Sequence, residues 1–425
     1  MTTRKAAAEI VADVATRLGD PERVREQYEE RLARTPAVGD AAGWSNPSLS
    51  DGHAGVALLF SELRWEEPRY RLVVHEHLRR AVARPVGDAA LINGLAAVAF
   101  ASSRSAEHGD HVSLTAKLDE LLISKVRTWG AERSAHTWYH YDVISGLAGI
   151  GRYLLSRPTA DPLVLRMIAD SLAALASPVA VGDLEVPGWW VHHDLEGNAS
   201  PDHATGHVNI GLAHGVPGCL ATLSLLVQAG YGDEHHEHAV RSMATWILDA
   251  RRDDAYGVYW PTHLLLADIS GESGHPPRPS RAAWCYGTPG IARALQIAGL
   301  ATGEPTWGAA AVDAVRDLAR RPESEWGVAD ASLCHGWAGL LQTFATLRRS
   351  APDPVLGDLI EVAARRTVAE FDPTSLFGFR AAVPGLPRFD RPGFLEGSAG
   401  TALALHSYAT GAPPRTCWDQ VLLLN

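Results

Sequence analysis

The chain has 425 residues, 46% of them hydrophobic, with a formal net charge of −11 and a sequence pI near 5.9. That length can bury a large core, and the acidic balance argues against a general nucleic-acid surface. Four cysteines without regular short spacing make no disulfide framework, MTTRKAAAEIVADVATRLGD reads as an amphipathic start, not a signal peptide, and no apolar run reaches membrane-spanning length, so a soluble protein of a reducing, cytoplasmic compartment is expected.

Seven short glycine motifs punctuate the sequence: Asp51-Gly-His-Ala-Gly55, Asn93-Gly-Leu-Ala-Ala97, Ser145-Gly-Leu-Ala-Gly149, His214-Gly-Val-Pro-Gly218, Tyr286-Gly-Thr-Pro-Gly290, His335-Gly-Trp-Ala-Gly339 and Glu396-Gly-Ser-Ala-Gly400. All but the second contain Gly-x-x-Gly. Most run into apolar stretches such as Val56–Phe60, Gly151–Leu155, Leu220–Leu226, Leu340–Phe344 and Thr401–Leu405, the composition of helices buried on every side. Between them Arg69–Val82, Leu114–Trp129, His236–Arg251, Trp307–Arg320 and Gly357–Phe371 carry charge on one face and read as outer helices. An inner helix followed by an outer one, repeated seven times, predicts an all-α body over residues 1–425, either a closed ring or a solenoid. Glycine at each inner-helix start permits positive φ and close backbone approach, and Pro217 and Pro289 suit a first helical turn. Two intervals are too long for a helix pair alone. Ser177–Asn209 holds VAVGDLEVPGWWVHHD and predicts short strands or irregular structure, while Asp253–Ala283, with GESGHPPRPS, reads as a surface loop.

Two motifs carry the best metal ligands. Cys285 directly precedes the fifth, and Cys334-His335 opens the sixth, so the cysteines stand one repeat apart. Thiolate and imidazole are good zinc ligands, and three of them leave a fourth position for water or substrate. The competing reading is a set of small buried residues, as expected of Cys219 and Cys417. His192, His193, His203 and His207, and likewise His235, His236 and His238, read as solvated or hydrogen-bonded side chains. His214 stands apart because it precedes Gly215 as His335 precedes Gly336, so both should face the same basin.

At these residues the chain resembles the LanC family of lanthipeptide cyclases, through DVISGLAGIG, NIGLAHGVPG, SRAAWCYGTPG, CHGWAGLL and LEGSAGTALAL in family order from Asp51 to Leu405. The second motif departs from the pattern by lacking its second glycine. The resemblance implies an α/α toroid of seven inner and seven outer helices and one catalytic Zn2+ held by Cys285, Cys334 and His335. It also implies an acid/base role for His214, a supporting role for Asp142 and functional roles for Arg281 and Tyr286. The reaction implied is addition of a peptide cysteine thiol to dehydroalanine or dehydrobutyrine, giving a thioether ring. No fused dehydration domain fits in this length, so the resemblance points to a stand-alone class I cyclase. Its expected partners are a dehydrated precursor peptide with its leader, a separate dehydratase and an exporter, the last two offering a route to membrane association. The 177–209 insertion, with Trp189 and Trp190, is an expected site of peptide contact or of packing. Two rival readings stand beside this one: a prenyltransferase-type enzyme alkylating a peptide thiol, and a non-catalytic peptide- or glutathione-binding scaffold.

Overall fold

A computed structural model describes every residue except 1, 36, 37, 39–42, 107, 108, 130–136, 193, 195–197, 200, 202–204 and 384. His193, His203 and part of the 177–209 insertion thus lie outside the described residues. Helices α1 (Thr3–Leu18) and α2 (Pro21–Ala33) lead into α3 (His53–Leu63), α4 (Tyr70–Ala81), α5 (Leu95–Ser105) and α6 (Val112–Trp129). The short α7 (Trp138–Tyr141), α8 (Leu147–Leu155) and α9 (Pro162–Ala174) come next, then strands β1 (Val179–Val181), β2 (Leu184–Val186), β3 (Trp190–Val191) and β4 (His207–Asn209). After α10 (Val216–Gln228) and α11 (Glu234–Asp249) lie β5 (Arg252–Asp254), β6 (Gly257–Tyr259), β7 (His263–Leu265) and α12 (Leu266–Ser270). The series ends with α13 (Thr288–Thr302), α14 (Pro305–Arg320), α15 (Trp337–Ser350), α16 (Pro354–Ala369), β8 (Arg380–Ala381), β9 (Phe389–Asp390) and α17 (Ser398–Thr410).

Two compact units divide the chain: Met1–Leu122 with Val328–Thr346 and Leu356–Asn425, and Ile123–Gly327 with Leu347–Val355. In the first unit α3, α5 and α17 start directly after Gly52, Gly94 and Gly397, and their side chains are buried almost all round. Helix α4 packs on α3, burying Val74, His77 and Leu78. Helix α1 packs on α17, and its buried residues include Ile10, Val14 and Leu18. The outer partner of the last motif helix therefore comes from the N-terminal segment, which a strict inner-then-outer order along the sequence does not reveal. The second motif behaves like the others despite Ala97: α5 begins after Gly94 in the same way as its counterparts.

A common backbone turn enters these helices. The amides of Gly55, Gly339 and Gly400 donate to the carbonyls of Ser48, Ser332 and Gly393. Neighbouring turns are tied in series, with Cys334 N to Leu395 O at 2.9 Å, Phe394 N to Leu49 O at 2.8 Å and Leu49 N to Ile92 O at 2.7 Å.

The second unit repeats the scheme with α8, α10 and α13 after Gly146, Gly215 and Gly287, and with α9, α11 and α14 packed against them. Gly149 N bonds Asp142 O at 3.1 Å, and the turns are tied by Val143 N to Ala213 O at 3.0 Å and Ala213 N to Cys285 O at 3.2 Å. Outer helix α9 gave no charged-face signal in the sequence because its exposed face includes Leu163. The 177–209 insertion holds the short strands expected of it: β1 pairs with β2, and β3 and β4 form an antiparallel sheet with β7. Trp189 and Trp190 are buried, the first edge-on to Trp246 of α11 with ring centroids 5.4 Å apart, the second donating from Nε1 to Thr205 O at 3.1 Å. Of the expected surface loop 253–283, only residues 271–280 are a largely exposed stretch; β6, β7 and α12 occupy much of what precedes it.

In the first unit His53 and His77 form a buried pair with Nδ1 atoms 3.2 Å apart, while His77 Nε2 donates to Leu18 O at 3.2 Å. The bond to Leu18 makes His77 Nδ1 the acceptor and His53 Nδ1 the donor, an arrangement that requires the His77 ring to be neutral. Burial pulls the His77 imidazole down to about 4, and burial with the neighbouring His77 pulls His53 down to about 2. The unfolded chain therefore takes up these protons first, and stability falls as pH drops from 6.5 toward 4. The His77 share of that loss is about 3 kcal/mol. Urea midpoints measured across that range should fall, and His77→Gln should flatten the dependence; equal slopes in both proteins would refute this account.

Candidate active site

The residue before each motif's first glycine stands at a helix N-terminus, where unsatisfied amides favour negative charge. His214 precedes α10, Tyr286 precedes α13 and His335 precedes α15. Gly287 has φ +83° and ψ −171°, and a Cβ there would fall 2.1 Å from Arg281 O, so no other residue type fits this turn. The turn fixes Cys285, a buried residue whose carbonyl accepts from Ala213 N. Cys334 is tied through its amide to Leu395 O, and His335 N lies 3.4 Å from Ser332 Oγ. Ser332 Oγ donates to Asp330 Oδ1 at 2.7 Å, Asp330 Oδ2 accepts from Ala382 N at 2.8 Å, and the same oxygen is 3.7 Å from His335 Nε2.

One ligand atom from each of Cys285, Cys334 and His335 lies within 4.8 Å of the other two, a group that could hold a metal ion. Two sulfurs and an imidazole nitrogen match the donor preference of zinc. Cys219 and Cys417 are not part of the group: Cys219 is buried, with Sγ 3.4 Å from Tyr141 O, and Cys417 caps a 3-10 turn near the C-terminus.

Asp142 is fully buried and does two jobs. Its Oδ1 accepts from Ser145 N at 2.7 Å and Gly146 N at 2.8 Å, capping α8, while Oδ2 lies 2.7 Å from His214 Nδ1. A carboxylate only accepts, so Nδ1 carries the hydrogen and Nε2 is left for chemistry. Trp138 meets the His214 ring edge-to-face at 4.2 Å between centroids and fixes its other side. Tyr286 lies 6.5 Å from His214, ring centre to ring centre, and its hydroxyl is 3.0 Å from Asn209 Nδ2. Arg281 is exposed, and among the described residues its guanidinium makes no ion pair.

Sequence reasoning missed several polar groups in these turns. Arg391 Nε donates to Asp51 Oδ2 at 2.7 Å, and the same guanidinium also pairs with Glu396. Burial pushes the Glu396 carboxyl up, against the opposing pull of Arg391 and of His335. Asp51 and Glu396 occupy the same pre-glycine place as His214 and His335, which is the signal that could have found them. Asp330 and Asn209 had no such signal.

Residues 43–423 match the model of the lanthionine synthetase C-like proteins, and the chain belongs to that family. Within it, the chain is 23% identical over 421 residues to the nisin biosynthesis protein NisC of Lactococcus lactis subsp. lactis, a match spanning 95% of this chain and 94% of that one. Among solved structures it is similar to nisin cyclase, with a TM-score of 0.76 and 23% identity over 95% of this chain and 98% of the other. That likeness shows the fold class expected from the sequence, an all-α, α/α toroid. Among the described residues no helix is long and apolar enough to cross a membrane.

Proposed function

We propose that residues 1–425 act as one zinc-dependent cyclase that adds cysteine thiols of a dehydrated precursor peptide to dehydroalanine or dehydrobutyrine, closing lanthionine or methyllanthionine rings. The observation that carries this reading is the Cys285, Cys334 and His335 group in a chain that also builds the His214–Asp142 pair and belongs to this family. Zinc held by those three residues would deprotonate the peptide thiol and keep its sulfur in place. As the sulfur–carbon bond forms at the β-carbon, the alkene's electron pair passes into an enolate. His214, oriented by Asp142, holds Nε2 for proton delivery to the α-carbon. Arg281 offers fixed positive charge to an anionic group of the peptide. The partners of this reading are a dehydratase that acts on serine and threonine of the precursor first and an exporter that takes the product.

Cyclisation leaves the mass of a dehydrated leader-bearing peptide unchanged while removing its reactivity toward thiol-alkylating reagents. A gain in mass by a hydrocarbon would favour a prenyltransferase, and a peptide bound but unchanged would favour a scaffold. Cys285→Ala, Cys334→Ala and His335→Ala should each weaken zinc binding by more than about tenfold and stop ring closure; metal analysis showing full occupancy would contradict the ligand set. His214→Ala should keep its zinc yet slow ring closure by roughly 10²–10⁴-fold. An unchanged rate and product stereochemistry would remove His214 from the reaction.

Trp189 and Trp190 are packed inside, whereas the β1–β2 hairpin of the 177–209 insertion is largely exposed and open to peptide contact. Replacing residues 179–186 by a short Gly-Ser turn should lower affinity for the leader without loss of zinc, and equal affinity would remove the hairpin from leader binding.

A further inference from the structure

Asn209 closes strand β4 opposite His263 of β7 and is almost wholly buried. Its Oδ1 accepts from Gly211 N at 2.8 Å. That bond settles which way the carboxamide points: the nitrogen, which can only donate, faces the Tyr286 hydroxyl at 3.0 Å. The phenol oxygen therefore receives a hydrogen from Asn209, and its own hydrogen is directed elsewhere. Gly211 fixes the ring as well, because a Cβ there would fall 2.4 Å from Tyr286 Cε1, so the aromatic face lies against bare backbone. The tripeptide 209–211 thus sets both the position of the Tyr286 ring and the direction of its hydrogen bond.

We propose that Asn209 is a positioning residue that makes Tyr286 a hydrogen-bond donor to the enolate oxygen generated during ring closure. This rests on the cyclase reading. When the thiolate sulfur bonds to the β-carbon, the π pair of the alkene moves through the α-carbon onto the peptide carbonyl oxygen. That oxygen needs a donor until the α-carbon is protonated and the carbonyl reforms. A donor aimed in advance at developing negative charge is worth more than one that must reorient. Tyr286 serves the oxygen end of the enolate and its neighbour His214 the carbon end. Without Asn209 the phenol could rotate and accept instead, and the oxygen would lose its partner.

Asn209→Asp tests this because the new carboxylate still accepts from Gly211 N but can no longer donate to the phenol. In protein labelled with 13C at tyrosine Cζ, with the Tyr286 signal assigned through Tyr286→Phe, the Tyr286 Cζ shift at neutral pH should move in Asn209→Asp, because the phenol oxygen loses the hydrogen it accepts. Ring closure of a leader-bearing peptide with one dehydroalanine and one cysteine should slow by about 10- to 100-fold, against roughly 10²–10³ for loss of a whole oxyanion donor. Zinc content and melting temperature should stay unchanged. In the Tyr286→Phe background the same substitution should cost nothing further. An unmoved Cζ shift, or an equal loss of rate in both backgrounds, would overturn the proposal and leave Asn209 a structural residue. A wild-type protein inert on the peptide, with the Cζ signal nevertheless moved as expected in Asn209→Asp, would instead overturn the cyclase reading, and the catalytic use of this hydrogen bond with it.

Discussion

At α3, α8, α15 and α17 the frame around the reactive residues depends on one kind of backbone turn, in which an amide just inside a helix reaches back to a carbonyl of the loop that leads into it. Gly149 to Asp142 and Gly339 to Ser332 are two examples. The bond folds the loop so tightly over the helix start that glycine is required there, as at Gly336, where a Cβ would lie 2.2 Å from Ser332 N. Such a turn holds the pre-glycine residue at the helix mouth. It also brings the loop's backbone within reach of the next turn, so Cys285 is held by Ala213 and Cys334 by Leu395. Reactive side chains are thereby mounted on main chain that has little freedom to move.

The turns make demands on polar groups that the reactive residues alone do not meet. Asp142 caps α8 with one oxygen and orients His214 with the other, so one buried carboxylate serves both fold and site. Asp330 does similar work in its own turn, holding Ser332 and Ala382 close to His335. The Asp51–Arg391–Glu396 cluster keeps buried charges paired, and removing one member would strand the others in a poor solvent.

How much of this could be read from the sequence depended on whether the physics was local. Helices α3, α10 and α17 announced themselves because they are apolar on every side, and α4, α11 and α14 because a charged face alternates with a buried one. Adjacent cysteine, histidine and glycine marked Cys334, His335 and His214 for the same reason. What stayed hidden was set by pairing across long stretches of chain. The β3–β4–β7 sheet joins segments on either side of α10 and α11, and no period in either segment foretells it. The sequence left the two tryptophans of the insertion open between peptide contact and packing, and they proved to be core. Asn209 and Asp330 are single buried polar residues whose meaning lies in the geometry around them.

The packing of α1 on α17 has a bearing on how the molecule is made. During synthesis α1, whose buried face carries Ile10, Val14 and Leu18, emerges long before α17, the helix on which it packs. Glu62 of α3 waits equally long for the amides of Arg415 and Thr416. Contacts of such sequence separation form slowly because the loop must close before any gain is felt. A nascent chain therefore carries α1 without its main cover until α17 has been made, and loss of α17 would leave α1 without its seat.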